Sequence, residues 1–82
     1  MTATTKTWHV GDTYYQAGAT LHGLEWDTDS QPRTTEGEAL ADIDAWMGRL
    51  SARELESARP YITRYRVTAV EPDGSIGTAV SY

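Results

Sequence analysis

Acidic residues are concentrated in one part of the chain, where they could act together. Residues 25–44 contain seven carboxylates and a single arginine. The seven are Glu25, Asp27, Asp29, Glu36, Glu38, Asp42 and Asp44. Grouped carboxylates attract basic partners, and association driven by such charges is fast and weakens as salt is added. We predict that these residues form a surface that binds a basic protein, the alternative being an ordinary solvated loop and first helical turn.

The same carboxylates do not match the patterns of catalytic or metal-binding acids. Acid–base catalysis by paired carboxylates needs a pocket that raises the pKa of one of them, and these acids are predicted on exposed turns. Asp27, Asp29 and Glu38 have the spacing of three ligands in an EF-hand loop. However, Pro32 stands where that loop requires glycine, so we expect no metal and no cofactor.

Residues for nucleophilic catalysis are equally scarce. The chain has no cysteine, which excludes disulfides and thiolate metal sites, and it has two histidines, His9 and His22, without paired spacing. Ser51 and Ser57 lie in predicted helix rather than on a nucleophile elbow. We therefore expect that the protein is not an enzyme.

Arg64 and Arg66 are the candidates for an alternative, nucleic-acid-binding function. They alternate with Tyr61 and Tyr65 along one predicted strand, so they project from the opposite face of the sheet. Arginines and aromatic rings on a sheet can bind single-stranded RNA. The competing interpretation, that the tyrosines pack on the helix and the arginines are solvated, is favoured by the net charge of −5.

Two strands are predicted before the first helix. Residues 6–17 are rich in β-branched and aromatic side chains, and residues 19–27 end in an alternating apolar and acidic pattern. Gly18 is predicted to separate the strands, and Gly11 and Asp12 to form a turn or a bulge in the first of them.

Capping-box patterns mark the starts of two helices. Thr35 with Glu38 begins the first, and Ser51 with Glu54 begins a short second one. An apolar stripe with helical spacing follows the first box, made of Leu40, Ile43, Met47 and Leu50. We expect Trp46, beside this stripe, to be buried.

Two more strands follow the short helix, which Pro60 is predicted to close. Residues 61–70 alternate cleanly, and residues 75–82 return after the hairpin-turn sequence Pro72-Asp73-Gly74. The predicted fold is therefore α+β: an antiparallel sheet in the order ββ-α-α-ββ, with one long helix packed on one face. We expect a single domain over residues 1–82, frayed at residues 1–5, with a homodimer formed through an edge strand as a third hypothesis.

The layout of these elements resembles that of short phage and mobile-element proteins. It is carried by the capped run Thr35-Glu36-Gly37-Glu38-Ala39-Leu40-Ala41-Asp42-Ile43, the strand 61–70 and the turn Glu71-Pro72-Asp73-Gly74. Several anti-CRISPR proteins are similar in size, acidity and layout over residues 24–80. The resemblance implies a stoichiometric inhibitor whose acidic face mimics DNA charge and occupies the basic nucleic-acid channel of a CRISPR effector. We expect a cytoplasmic protein, because the sequence shows neither an apolar run of membrane-spanning length nor the pattern of a secretory signal.

Overall fold

Two β-hairpins flank a pair of helices along the chain. The computed structural model describes residues 6–26, 28 and 30–82, so the predictions for residues 1–5, Asp27 and Asp29 lie outside the described part. In chain order the elements are β1 (Thr13–Leu21), β2 (Leu24–Trp26), α1 (Glu36–Met47), α2 (Ala52–Ser57), β3 (Ala58–Val70) and β4 (Ile76–Ser81).

The four strands form one antiparallel sheet in the spatial order β2-β1-β3-β4. The central pair, β1 and β3, runs from Thr13 opposite Arg66 to Leu21 opposite Ala58. This arrangement confirms the predicted α+β fold. The helix α1, at 12 residues, is of ordinary rather than unusual length.

The edge of β1 that β2 does not reach is covered by the loop before α1. Tyr15 and Arg33 exchange two main-chain hydrogen bonds of 2.7 and 2.8 Å. Ala17 donates its N–H to the Ser30 hydroxyl at 3.0 Å, and its carbonyl accepts from the Thr28 hydroxyl at 3.2 Å. The loop thereby satisfies strand-edge groups that would otherwise be open to another chain.

The first hairpin turns later than the sequence predicts. β1 continues through Gly18, and the chain reverses at His22 and Gly23, whose φ values of 54° and 80° are those of a two-residue hairpin turn. The predicted break at Gly18 is therefore wrong. A Cβ at Gly18 would lie 2.6 Å from the Tyr61 ring, so glycine here accommodates a cross-strand aromatic side chain. Gly11, with φ of 94°, lies in a turn before β1.

Helix α1 has the predicted Thr35 N-cap, but the Glu38 carboxylate accepts from the Thr35 hydroxyl rather than from its amide, so the predicted capping box is incomplete. The Thr35 hydroxyl accepts a hydrogen bond from the Glu38 amide at 3.2 Å, which caps the helix.

Of the predicted apolar stripe, Ile43 is buried and Met47 and Leu50 are partly buried. The buried residues are Ala39, Ile43 and Trp46. Leu40, predicted in the core, is 48% exposed. The predicted and the observed sets of residues both have helical spacing. In the observed set, the small Ala39 lets the helix backbone approach the sheet, and the large side chain of Trp46 fills the remaining space.

Helix α2 has the complete capping box predicted for it. The Ser51 amide donates to the Glu54 carboxylate at 2.9 Å, and the Glu54 amide donates to the Ser51 hydroxyl at 3.2 Å. The helix ends at Ser57, before Pro60, which instead lies in β3 opposite Ala19. β4 does not reach this part of β3, so Pro60 occupies a strand edge, where a missing N–H is tolerated.

Two small clusters of buried side chains lie on opposite faces of the sheet. Successive residues of a strand point to alternate faces, and directly paired residues point to the same face. The cluster on the helix face consists of Ala19, Leu21, Trp46 and Ala58. The cluster on the opposite face consists of Trp8, Tyr14 and Val67. Tyr14 stacks on Tyr65, its cross-strand neighbour, with ring centroids 4.9 Å apart. Tyr61 and Tyr65 therefore lie on the face away from α1, contrary to the interpretation in which they pack on the helix.

The second hairpin forms at the predicted Pro72-Asp73-Gly74 turn. The Asp73 carboxylate accepts from the Ser75 amide at 2.9 Å and from the Ser75 hydroxyl at 2.6 Å. These hydrogen bonds to the ionised form hold the pKa of Asp73 below its ordinary value of 3.8. A carboxylate whose pKa is lowered by folding stabilises the native state above that ordinary value, and this contribution disappears as the pH falls through the lower, folded value.

We therefore expect the stability difference between the natural protein and Asp73→Ala to shrink on acidification. Urea unfolding at pH 7 and near pH ~2 measures it at both ends of the carboxyl titration. Asp73→Asn keeps an oxygen acceptor without the charge and serves as the control. An equal stability difference between the natural protein and Asp73→Ala at both pH values would contradict a role for the Asp73 charge in this turn.

Candidate functional site

Three of the predicted acidic residues share the exposed surface of α1. Glu36, Glu38 and Asp44 are all exposed. Glu36, Leu40 and Asp44 are spaced by four residues and therefore form one row along the helix. An exposed leucine between two carboxylates gives this row both charge and an apolar contact. We call Glu36, Leu40 and Asp44 the α1 ridge; Glu38, two positions from Glu36, lies on a different side of the helix.

Glu38 also stabilises the start of its own helix. Its carboxylate accepts hydrogen bonds of 3.0 Å from the hydroxyls of Thr34 and Thr35. Two acids in the first turn, Glu36 and Glu38, also interact favourably with the positive end of the helix dipole. Glu38 therefore has a structural role as well as an exposed charge.

Asp42 does not belong to a free acidic surface. Its two carboxylate oxygens accept from Nε and Nη2 of Arg33, both at 2.8 Å, and one of them also accepts from the Ser30 hydroxyl at 3.3 Å. The Asp42 side chain is only 17% exposed. The hydrogen bonds to Asp42 raise the pKa of Arg33 above its ordinary value. This corrects the sequence prediction, because the charge of Asp42 is neutralised within the protein.

Glu25 is separated from the α1 acids by the sheet. It pairs with Thr20 and therefore points to the face opposite the helix. Its carboxylate accepts a 2.7 Å hydrogen bond from the Tyr61 hydroxyl, which raises the pKa of Tyr61 above its ordinary value of 10.0. The seven predicted acids therefore do not form one surface. Of the described acids, Glu36 and Asp44 share one row of α1, Glu38 projects from another side of the helix, and Asp27 and Asp29 lie outside the described residues.

Arg64 and Arg66 lie on the helix face of the sheet, beside the ring of Tyr82. Their guanidinium carbons are 4.1 and 4.4 Å from the ring centroid, which is the geometry of cation–π contacts. The Tyr82 hydroxyl forms a hydrogen bond with the Thr13 hydroxyl. This hydrogen bond, together with the two nearby arginines, lowers the pKa of Tyr82 below its ordinary value of 10.0. The sequence correctly predicted that these arginines and the tyrosines of β3 lie on opposite faces of the sheet. It did not predict that the arginines lie on the face that carries α1.

A groove of about 320 Å³ runs between the start of α1 and the end of the chain. It is lined by Tyr15, Glu36, Ile62, Arg64 and Tyr82. The alternation of β3 could have placed Ile62 beside Arg64. The contributions of Tyr15 and Tyr82 depend on strand order and register, which local sequence does not specify.

The described part of the chain offers little for metal binding or nucleophilic chemistry. No group of three or more metal-ligating side chains occurs among these residues. The Ser57 hydroxyl lies 3.5 Å from Nε2 of the exposed His22, but it donates instead to the Glu54 carbonyl at 3.2 Å. This long contact is a poor geometry for activating a serine. No helix in the described residues is long and apolar enough to cross a bilayer.

Comparison of the chain with protein-family models, curated proteins and solved structures gives no significant match. The resemblance to anti-CRISPR proteins therefore stays a prediction, and function is inferred from the residues themselves.

Proposed function

We propose that this protein is a non-enzymatic module that binds a basic protein through the α1 ridge. The observation that carries the proposal is the contrast between the acids of one helix. Asp42 is neutralised by Arg33, whereas Glu36 and Asp44 are exposed and form no ion pair within the described residues. Exposed, unpaired carboxylates on a rigid helix are available to basic side chains of a partner.

The exposed Leu40 supports a protein partner over a simple counter-ion role for these acids. It lies between Glu36 and Asp44, where a partner side chain can bury it while basic groups contact the flanking carboxylates. The architectural resemblance favours a CRISPR effector as this partner, with the acidic ridge occupying part of its basic nucleic-acid channel. Because the ridge includes two acids rather than seven, the predicted contact is smaller than the sequence suggested.

Charge reversal on the ridge should weaken complex formation with a CRISPR effector. We expect the double variant Glu36→Lys/Asp44→Lys to lose roughly tenfold or more in affinity, mainly through slower association, and binding of the natural protein to fall steeply with salt. Biolayer interferometry against purified CRISPR effectors, from ~0.05 to ~0.5 M salt, measures both effects. Glu38 is left unchanged because its carboxylate accepts hydrogen bonds from Thr34 and Thr35 at the start of the helix.

The matched control is Glu56→Lys/Glu71→Lys, which changes net charge equally at two exposed acids outside the ridge. An equal loss in both double variants would show that net charge alone, not the ridge, controls association. Absence of binding to any effector tested would refute the CRISPR effector as the partner.

The alternative nucleic-acid-binding function has support at one point of the surface. Arg64, Arg66 and Tyr82 combine cations with an aromatic ring, but they form a single cluster beside the acidic Glu36. A strand-binding sheet needs successive stacking positions along a basic path. The cluster is sufficient for about one nucleotide, so we do not favour an extended nucleic-acid interface.

Homodimer formation through β2, one of the two edge strands of the sheet, is opposed by the charge of that strand. β2 has three residues, and a two-fold symmetric pairing centred on its middle residue would place Glu25 opposite Glu25 of the second copy. Like charges directly opposite each other destabilise strand pairs.

A further inference from the structure

The groove beside α1 contains two opposite charges that do not neutralise each other. Glu36 and Arg64 both line it, yet they form no ion pair, and the ion pairs recorded among the described residues involve other side chains. Nε of Arg64 donates to the main-chain oxygen of Tyr82 at 3.3 Å, while its terminal nitrogens make no hydrogen bond to the described residues. The groove therefore offers a carboxylate acceptor at one side and guanidinium donors at another.

Flat and apolar side chains lie between these charges. Tyr15 and Tyr82 contribute aromatic rings, and Ile62 contributes an apolar surface. Tyr82 is 47% exposed although two guanidiniums contact its ring. Tyrosine rings and arginine planes are the groups on which proteins stack nucleobases. The groove volume of about 320 Å³ is at the small end of the range for ligand sites.

We propose that this groove binds a guanine nucleotide. The base would stack against the aromatic and guanidinium planes, and the phosphate would contact Arg64, with Arg66 adding positive charge. Glu36 would accept hydrogen bonds from the base edge. This site is distinct from docking of a protein on the α1 ridge and does not depend on it, although the two share Glu36.

Glu36 is the reason for naming guanine. The Watson–Crick edge of guanine presents the ring N1–H and the exocyclic amino group side by side, so one carboxylate can accept from both. Adenine and cytosine present a ring acceptor beside their amino group, and uracil places acceptors on both sides of its single N–H. Each of these would bring an acceptor against the Glu36 carboxylate.

NMR titration of the full chain provides the test. Amide shifts of the ¹⁵N-labelled protein are followed during addition of GMP, AMP, guanosine and tryptophan. We expect GMP to bind about tenfold more tightly than AMP, because hydrogen bonds to a charged group discriminate by that order. The shifted amides should include those of Glu36, Ile62 and Arg64, and guanosine, which lacks the phosphate, should bind more weakly than GMP.

Two variants separate the contributions of the charges. Glu36→Gln should abolish the preference for GMP over AMP, whereas Arg64→Gln should abolish the preference for GMP over guanosine. Asp44→Asn changes an acid of the same helix outside the groove and should leave both preferences intact. The spectra themselves report whether each variant is folded, so loss of binding through unfolding is recognised directly.

A further titration distinguishes a free nucleotide from a nucleotide within an RNA strand as the natural ligand. A single-stranded RNA containing one guanine among adenines would bind more tightly than GMP if the natural ligand is a strand, and no more tightly if it is a free nucleotide. Equal binding of GMP and AMP, tighter binding of tryptophan than of GMP, or shifts confined to other surfaces would each overturn the proposal.

Discussion

Trp46→Ala is expected to cost about 3–5 kcal/mol of unfolding free energy, the range for removing a large buried aromatic side chain. Trp46 is 2% exposed and fills the space between α1 and the helix face, where Ala19 and Ala58 are too small to do so. A domain of 82 residues has a total stability of roughly 4–12 kcal/mol, so the variant would lose a large part of it. Urea unfolding followed by far-ultraviolet circular dichroism measures the loss.

Trp26→Ala is the matched control, because it removes the same side chain from a different environment. Trp26 is 48% exposed on the edge strand β2, and its truncation should cost about 1 kcal/mol or less. Similar losses in the two variants would contradict the placement of Trp46 at the centre of the helix-face core.

The elements that the sequence predicted correctly are those set by local chemistry. Thr35 and Ser51 cap helices because their hydroxyls accept from amides three residues ahead, an interaction that needs no tertiary partner. Pro72-Asp73-Gly74 forms a turn for a similarly local reason. The antiparallel α+β architecture follows from the order of these elements and was predicted from it.

The elements that the sequence placed incorrectly depend on contacts between distant residues. Gly18 reads locally as a chain break, but its lack of a side chain accommodates the ring of Tyr61, which is 43 positions later in the numbering. Likewise, stripes through Leu40 or through Ala39 satisfy helical spacing equally well. The choice between them is made by packing against the sheet, which a periodicity cannot reveal.

In the candidate site, too, features set by local sequence were predicted and features that depend on distant contacts were not. Exposure of Glu36 and Asp44 was predicted from their type and position. The pairing of Asp42 with Arg33 was not, since it requires the loop before α1 to fold back along β1. The groove beside Glu36 also escaped prediction, because it joins residues from β1, β3 and the end of the chain through the strand register.

Asp42→Ala should destabilise the protein by about 1–3 kcal/mol, as expected when hydrogen bonds to a charged group are removed and the partner can still reach water. Arg33 donates to Asp42 through two nitrogens, and its own side chain is partly exposed. Losing Asp42 would therefore release Arg33 rather than leave it as a buried unpaired charge. Urea unfolding gives the size of the effect, and Asp44→Ala, an exposed acid on the same helix, should change stability by about 0.5 kcal/mol or less.

Hydrogen exchange can show where the lost stability acts. The Asp42–Arg33 pair ties α1 to the loop that covers β1, so its removal should speed exchange of the Tyr15 and Arg33 amides, each of which donates to the main-chain carbonyl of the other residue across that edge. The double variant Arg33→Ala/Asp42→Ala should cost less than the sum of the single changes, because each single change already breaks the shared interaction. Strictly additive losses, with unchanged exchange at these two amides, would show that the pair does not hold the loop against the sheet.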